Sequence, residues 1–222
     1  MKAAVKMFLL LLCSLAALFS LSADELDTYT IALDRAERNF WSAAFASANS
    51  SIRKNYRVSL GRLSQSAGKV HDWRRKNDSR INYGDLKRPG ILLEGLLGTH
   101  SAFKERLNIN GLHPTNFDGI KKMLRKNGSN SRLKTMTEND ISLADYKKTL
   151  EFIRDENLES LTRKFSSNSN LKHYQQDVLI QTAQKFYTII TDARLTVFKL
   201  RKNDPLFQRQ NRFGNNRNKV SR

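Results

Sequence analysis

Near the C-terminus, apolar residues recur at alternating spacings of four and three: Leu179, Ala183, Phe186, Ile190, Ala193, Val197 and Leu200. Every member of this series falls on one stripe of an α-helix, the seam of helices packed at shallow angles. A chain with such a seam must supply a second helix to cover it. Residues 138–165 offer one, with Leu143, Tyr146, Leu150, Ile153, Leu158, Leu161 and Phe165 at helical spacing. The intervening Ser166-Ser167-Asn168-Ser169-Asn170 reads as a turn, so 138–165 is expected to pack antiparallel on 171–202. Thr137, with Asp140 three residues on, has the spacing of an N-terminal cap for the first of the pair.

The rest of the chain is consistent with that start. Pro89, Pro114 and Pro205 are the only prolines, and no alternating run of β-branched and aromatic residues suggests a strand. The expected fold class is all-α: an elongated antiparallel helix bundle with a disordered basic C-terminal tail. A helical stripe runs from Leu26, Tyr29, Leu33, Ala36, Phe40 and Ala43 through Trp41, Phe45, Ala48, Ile52 and Tyr56 to Leu60, Leu63, Ala67 and Val70. Unbroken, residues 24–74 would be about 75 Å long, against a radius of gyration near 16 Å (roughly) for a compact chain of this size. A break is therefore expected, at Asn49-Ser50-Ser51 or at Gly61.

Residues 75–90 are turn-rich and basic and read as a connection. A short apolar helix is expected over 91–107, with Leu92, Leu93, Leu96, Leu97 and Phe103 as its core side, then a cationic helix over 115–126 ended by Asn127-Gly128. Residues 24–202 make one helical domain, and 203–222, rich in Asn, Arg and Gln, a basic tail expected to be disordered when free.

The first 23 residues have the order of a secretory signal: Lys2 and Lys6, an apolar run from Met7 to Phe19, then small residues allowing cleavage after Ser22 or Ala23. The run is too short to span a bilayer, for which about 20 apolar residues are needed. The expected product is secreted and extracellular. Cys13, the only cysteine, would leave with the signal, so the mature chain forms no disulfide within itself and needs a packed core instead.

Charge is the strongest hint of function. The chain carries Lys+Arg 39 against Asp+Glu 21, a formal net charge of +18, and only Lys2 and Lys6 of the bases lie in the signal. Such an excess draws polyanions without saying anything about fold. Lys121, Lys122, Arg125 and Lys126 share one helical face, opposite Phe117, Ile120 and Leu124, and are the first candidates for anion binding. Arg74, Arg75 and Lys76, with Lys87-Arg88 nearby, come second. The tail arginines Arg209, Arg212 and Arg217 come third.

Other constellations are weaker. Trp41 beside Phe40 and Phe45 reads as core, whereas Trp73, next to charged residues, suits an interface. His173 and Asp177 are one helical turn apart, but no second histidine pair completes a metal site. There is no HExxH spacing, nucleophile elbow or Gly-rich phosphate loop. Sequons at Asn49, Asn77 and Asn127 are no more than chance supplies in a chain so rich in Asn and Ser.

These features describe a secreted basic helical binding protein, an extracellular effector engaging an anionic surface or polymer: heparan sulfate or another sulfated glycan, anionic lipid, or nucleic acid, with an acidic protein as a further partner. A secreted protein-binding decoy or inhibitor that uses a helical face, its charge incidental, stands second. An enzyme without a recognisable motif is a distant third. No cofactor or metal is expected.

Overall fold

The computed structural model describes residues 25–44, 51–77, 84–98, 111–126 and 136–203; the side chains of 73–77, 84, 98 and 203 fall outside that description. Among the described residues the protein is all-α, with six α-helices packed antiparallel and no strand. They are α1 (25–44), α2 (Ser51–Asn77), α3 (Gly84–Gly98), α4 (Phe117–Lys126), α5 (Leu143–Ser166) and α6 (His173–Asn203). The signal segment 1–23, the tail 203–222, Phe45, Ala48, Phe103, the Asn127-Gly128 pair and the sequons Asn49 and Asn127 lie outside the described structure, apart from the backbone of Asn203.

The long N-terminal stripe is a hairpin. Glu25 Oε1 meets Lys69 Nζ at 3.3 Å and the Phe40 and Tyr56 rings stand 5.9 Å apart, so α1 and α2 run antiparallel and the chain reverses between residue 44 and Ser51. Gly61 causes no break, since α2 passes straight through it. Ile52, counted in the apolar stripe, is 45% exposed near the start of α2.

The connection expected over 75–90 is shorter than its composition implies. α2 continues to Asn77 and α3 starts at Gly84, with Pro89 inside it. A proline lacks one backbone donor, which costs least near a helix start. Burial of Leu86, Leu93 and Leu97 outweighs that loss. Gly90 lies where α3 crosses α2 closely: a Cβ there would meet Ser64 Oγ at 2.9 Å. Leu92, expected in the core, is 41% exposed because Leu93, one residue on, takes the inward position.

Arg53, buried on α2, reaches the Leu97 carbonyl near the end of α3 (3.4 Å), and the Tyr56 hydroxyl donates to Leu93 O at the same distance. Cations are favoured at helix C-termini, where carbonyls lack partners.

Helices α5 and α6 form the expected antiparallel pair. The whole seam Leu179 to Val197 is buried and Leu200 packs partly covered against it. Tyr146 stacks on Phe198 at 3.9 Å across the pair. Leu143, expected inside, is 40% exposed in the first turn. Thr137 does bond Asp140, its N–H and hydroxyl both donating to Oδ2, but it opens only the short 3-10 turn Glu138–Asp140. The cap of α5 is Ser142, whose Oγ accepts the Asp145 N–H at 3.0 Å.

Two apolar clusters result. The larger joins α1, α2, α3 and α6 with the end of α5, around Phe40, Trp41, Tyr56, Phe165 and Phe186; Phe40 and Phe186 stack at 4.3 Å. Trp41 is core, as its neighbours suggested. The smaller holds Ile120, Met123, Tyr146, Leu150, Ile153 and Phe198 beneath α4.

Candidate functional site

The cationic helix α4 is seated through Ile120 and Met123, both buried, with Phe117 and Leu124 partly covered. Met123 was not among the expected anchors; Phe117, Ile120 and Leu124 were. Asn116 caps the helix, accepting the Gly119 N–H at 3.0 Å. Gly119 has no room for a side chain, because a Cβ would lie 1.8 Å from the Pro114 carbonyl oxygen.

The four α4 cations are not equivalent. Lys121 is largely covered, 3.6 Å from Asp118 and over the Phe117 ring at 5.2 Å. Lys126 is exposed but pairs with Glu156 of α5 at 3.1 Å. Lys122 and Arg125 are exposed and make no ion pair among the described residues.

Helix α2 presents a different surface. Its bases are Arg53, Lys54, Arg57, Arg62, Lys69, Arg74, Arg75 and Lys76, and its only acid is Asp72. Tyr56, Leu60, Leu63, Ala67 and Val70 face the core. On the far side of the helix lie Lys54, Arg57, Arg62 and Lys69, all exposed, around Val58 and an open Gly61. Lys69 pairs with Glu25, whereas Lys54, Arg57 and Arg62 make no ion pair among the described residues. The α2 backbone continues through Arg74, Arg75 and Lys76, whose side chains are outside the description, as is that of Trp73. Arg209, Arg212 and Arg217 are likewise outside it.

Set against protein-family models, curated proteins and solved structures, the chain matches none.

A buried charge cluster joins α6, α1 and the segment that leads into α4. Arg194, in the middle of α6 and 3% exposed, contacts Asp34 Oδ1 at 2.6 Å and Glu37 Oε2 at 2.7 Å on α1. Its Nε donates to Thr115 Oγ1 at 3.1 Å, and Thr115 donates its hydroxyl and N–H to the Glu37 carboxylate at 2.8 and 2.9 Å. Burial opposes the Arg194 charge most strongly, but Glu37 and Asp34 together outweigh it and raise the pKa further.

One register along, Arg201 bridges Asp27 at 2.7 Å and Glu138 at 2.6 Å. The pairs Asp27–Arg201 and Asp34–Arg194 are seven residues apart on each helix, which fixes α1 antiparallel to α6.

Residues 111–116 form a strap into α4. Gly111 opens it at φ 95°, the left-handed region that glycine enters freely. The Asn157 side chain, buried on α5, accepts the His113 N–H at 2.8 Å and donates to the His113 carbonyl at 2.7 Å. Thr115 then ties the strap to Glu37 and Arg194.

A groove of about 310 Å³ lies between the strap and α1, lined in part by Arg38, Trp41, His113 and Tyr187. His173 and Asp177 are both exposed at the start of α6, and the described residues contain no group of three or more His, Cys, Asp or Glu side chains able to hold a metal ion.

Proposed function

We propose that this chain is a secreted, non-enzymatic binding protein that holds a linear sulfated polymer along the outward face of α2. The observation that carries the reading is the row Lys54, Arg57 and Arg62, exposed and without ion pairs among the described residues, on a helix whose only acid is Asp72. From Lys54 to Lys69 the row extends about 22 Å on a straight helix, a shape suited to an extended chain more than to one phosphate. Counter-ions released from such a polymer favour binding at low salt. Val58 is the one large apolar side chain in the middle of this row, which gives a lipid surface little to insert around. Lys122 and Arg125 on α4 form a second, smaller contact.

The compartment in this reading comes from the order of residues 1–23. The test is retention of residues 24–222 on heparin, compared with sedimentation with anionic and neutral vesicles across a salt series. The reading expects salt-sensitive heparin retention and weak vesicle binding. Vesicle binding as strong as heparin retention would replace the glycan with a lipid surface. A salt-resistant protein captured from extracellular fluid, with no heparin retention, would favour the protein-binding reading.

A further inference from the structure

Helix α1 sorts its charges. Its four acids are all engaged by bases of other helices: Glu25 by Lys69, Asp27 by Arg201, and both Asp34 and Glu37 by Arg194. Its two bases, Arg35 and Arg38, are exposed, three residues apart on one side of the helix, and make no ion pair among the described residues. Arg38 lines the groove between α1 and the strap, about 310 Å³ in volume, toward the small end of ligand pockets, roughly 300–1,000 Å³. Leu112 and Pro114 of the strap, Trp41 of α1 and Tyr187 of α6 give the groove an apolar wall, and Ser42 adds an exposed hydroxyl. Glu37, the one acid in the lining, already accepts from Arg194 and twice from Thr115. His113 has Glu156 at 3.9 Å. Arg38 is the charge left over for a ligand.

We infer that this groove holds a small amphipathic anion, a carboxylate carried on a short apolar body. The Arg38 guanidinium offers a fork of N–H donors that matches the two oxygens of a carboxylate, and Ser42, one helical turn on, supplies a further donor. The apolar body lies against Leu112, Pro114, Trp41 and Tyr187 and is thereby withdrawn from water. A cation of the same shape meets Arg38 and the field of a chain with a net charge of +18, so it is disfavoured on both counts. The strap side of the groove is held before any ligand arrives, by Asn157 on His113 and by Glu37 on Thr115, so binding does not have to order it. The inference rests on this groove and is independent of what α2 binds.

The experiment is a fluorescence titration of the protein carrying Trp73→Phe, which leaves Trp41 in the groove as its only tryptophan. The probes are octanoate, octanol and octylamine, alike in chain and different in head group. Octanoate should change the Trp41 emission along a saturable curve, octanol should bind about tenfold more weakly, and octylamine more weakly still. Arg38→Gln should bring octanoate down to the affinity of octanol and leave octanol as it was. Ser42→Leu, which fills the groove without changing charge, should abolish the octanoate response while circular dichroism shows unchanged helix. Lys54→Gln, Arg57→Gln and Arg62→Gln combined should leave octanoate binding intact, which separates this site from α2. No saturable response to octanoate, octanol binding as tightly as octanoate, or an Arg38→Gln or Ser42→Leu protein that binds octanoate like the parent would overturn the inference. Loss of octanoate binding in the α2 variant would overturn it too, by moving the anion to α2.

Discussion

Helices α2 and α4 are both basic, yet they differ in what surrounds their charge. On α4, Lys121 and Lys126 are engaged by Asp118 and Glu156. On α2, Lys54, Arg57 and Arg62 have no such neighbours among the described residues. The supports differ as well: α2 lies on the large aromatic cluster, and α4 on the small cluster and the strap. A run of cations in sequence measures charge density, whereas a partner sees only charge that the fold leaves uncommitted.

The two supports can be separated by mutation. Phe186→Ala removes the ring that stacks on Phe40 and touches Trp41 and Tyr187, and should cost about 3–5 kcal/mol, read by chemical denaturation. Loss on that scale would unfold α2 and α4 together. A neutral result would break the claim that the seam is the centre of the fold.

Arg194→Met, also expected to cost about 3–5 kcal/mol by chemical denaturation, strands Asp34 and Glu37 without their cation and removes one of the strap's ties, the bond to Thr115. Replacing the three by apolar residues together should recover much of that loss.

Gly119→Ala should cost less, about 1–3 kcal/mol. Its effect should concentrate at the strap and α4, with amide exchange rising there first. Uniform exchange across α2 and α4 would show that the two supports are not separable.

Alkaline pH addresses the clusters by titration. Burial raises the pKa of Tyr29, Tyr56 and Tyr187 in the large cluster and of Tyr146 in the small one. Above the unfolded tyrosine pKa of about 10, the unfolded chain releases protons that the folded chain retains, so stability falls as pH rises. Each buried tyrosine should then contribute a loss of about 1.4 kcal/mol per pH unit until its own folded pKa is reached. Melting temperature measured through that range checks the sign, and a flat profile would mean the rings are not buried.

Much of this architecture was legible in the residues. The Leu179–Val197 seam and the pairing of α5 with α6 follow from spacing, and the core position of Trp41 from its aromatic neighbour Phe40. What periodicity missed has physical causes. The start of α3 was hidden because Gly84, Lys87, Arg88, Pro89 and Gly90 have turn composition, and tertiary packing, with Leu86 buried and Gly90 close against α2, holds them helical. Leu92 and Leu143 look like core residues by type, but the inward face is set by neighbours that sequence does not show. Arg194 escaped notice because one arginine beside an apolar seam carries no local signal; the matched seven-residue spacing of Asp27 and Asp34 with Arg194 and Arg201 was the available clue. The strap 111–116 has no periodicity at all, and its order comes from Asn157 and Thr115.

Exposed charges add little to stability, so the smallest thermodynamic change expected comes from the surface itself. Lys54→Gln, Arg57→Gln and Arg62→Gln combined should leave the melting temperature unchanged. The measurement that bears most directly on the role of α2 is the salt dependence of heparin affinity for this triple variant, beside Lys122→Gln with Arg125→Gln. Each lost anion contact should lower the slope of log K against log salt by about one. The account predicts a large loss of slope and affinity for the α2 variant and a smaller one for the α4 variant. An α2 variant that binds like the parent would contradict it.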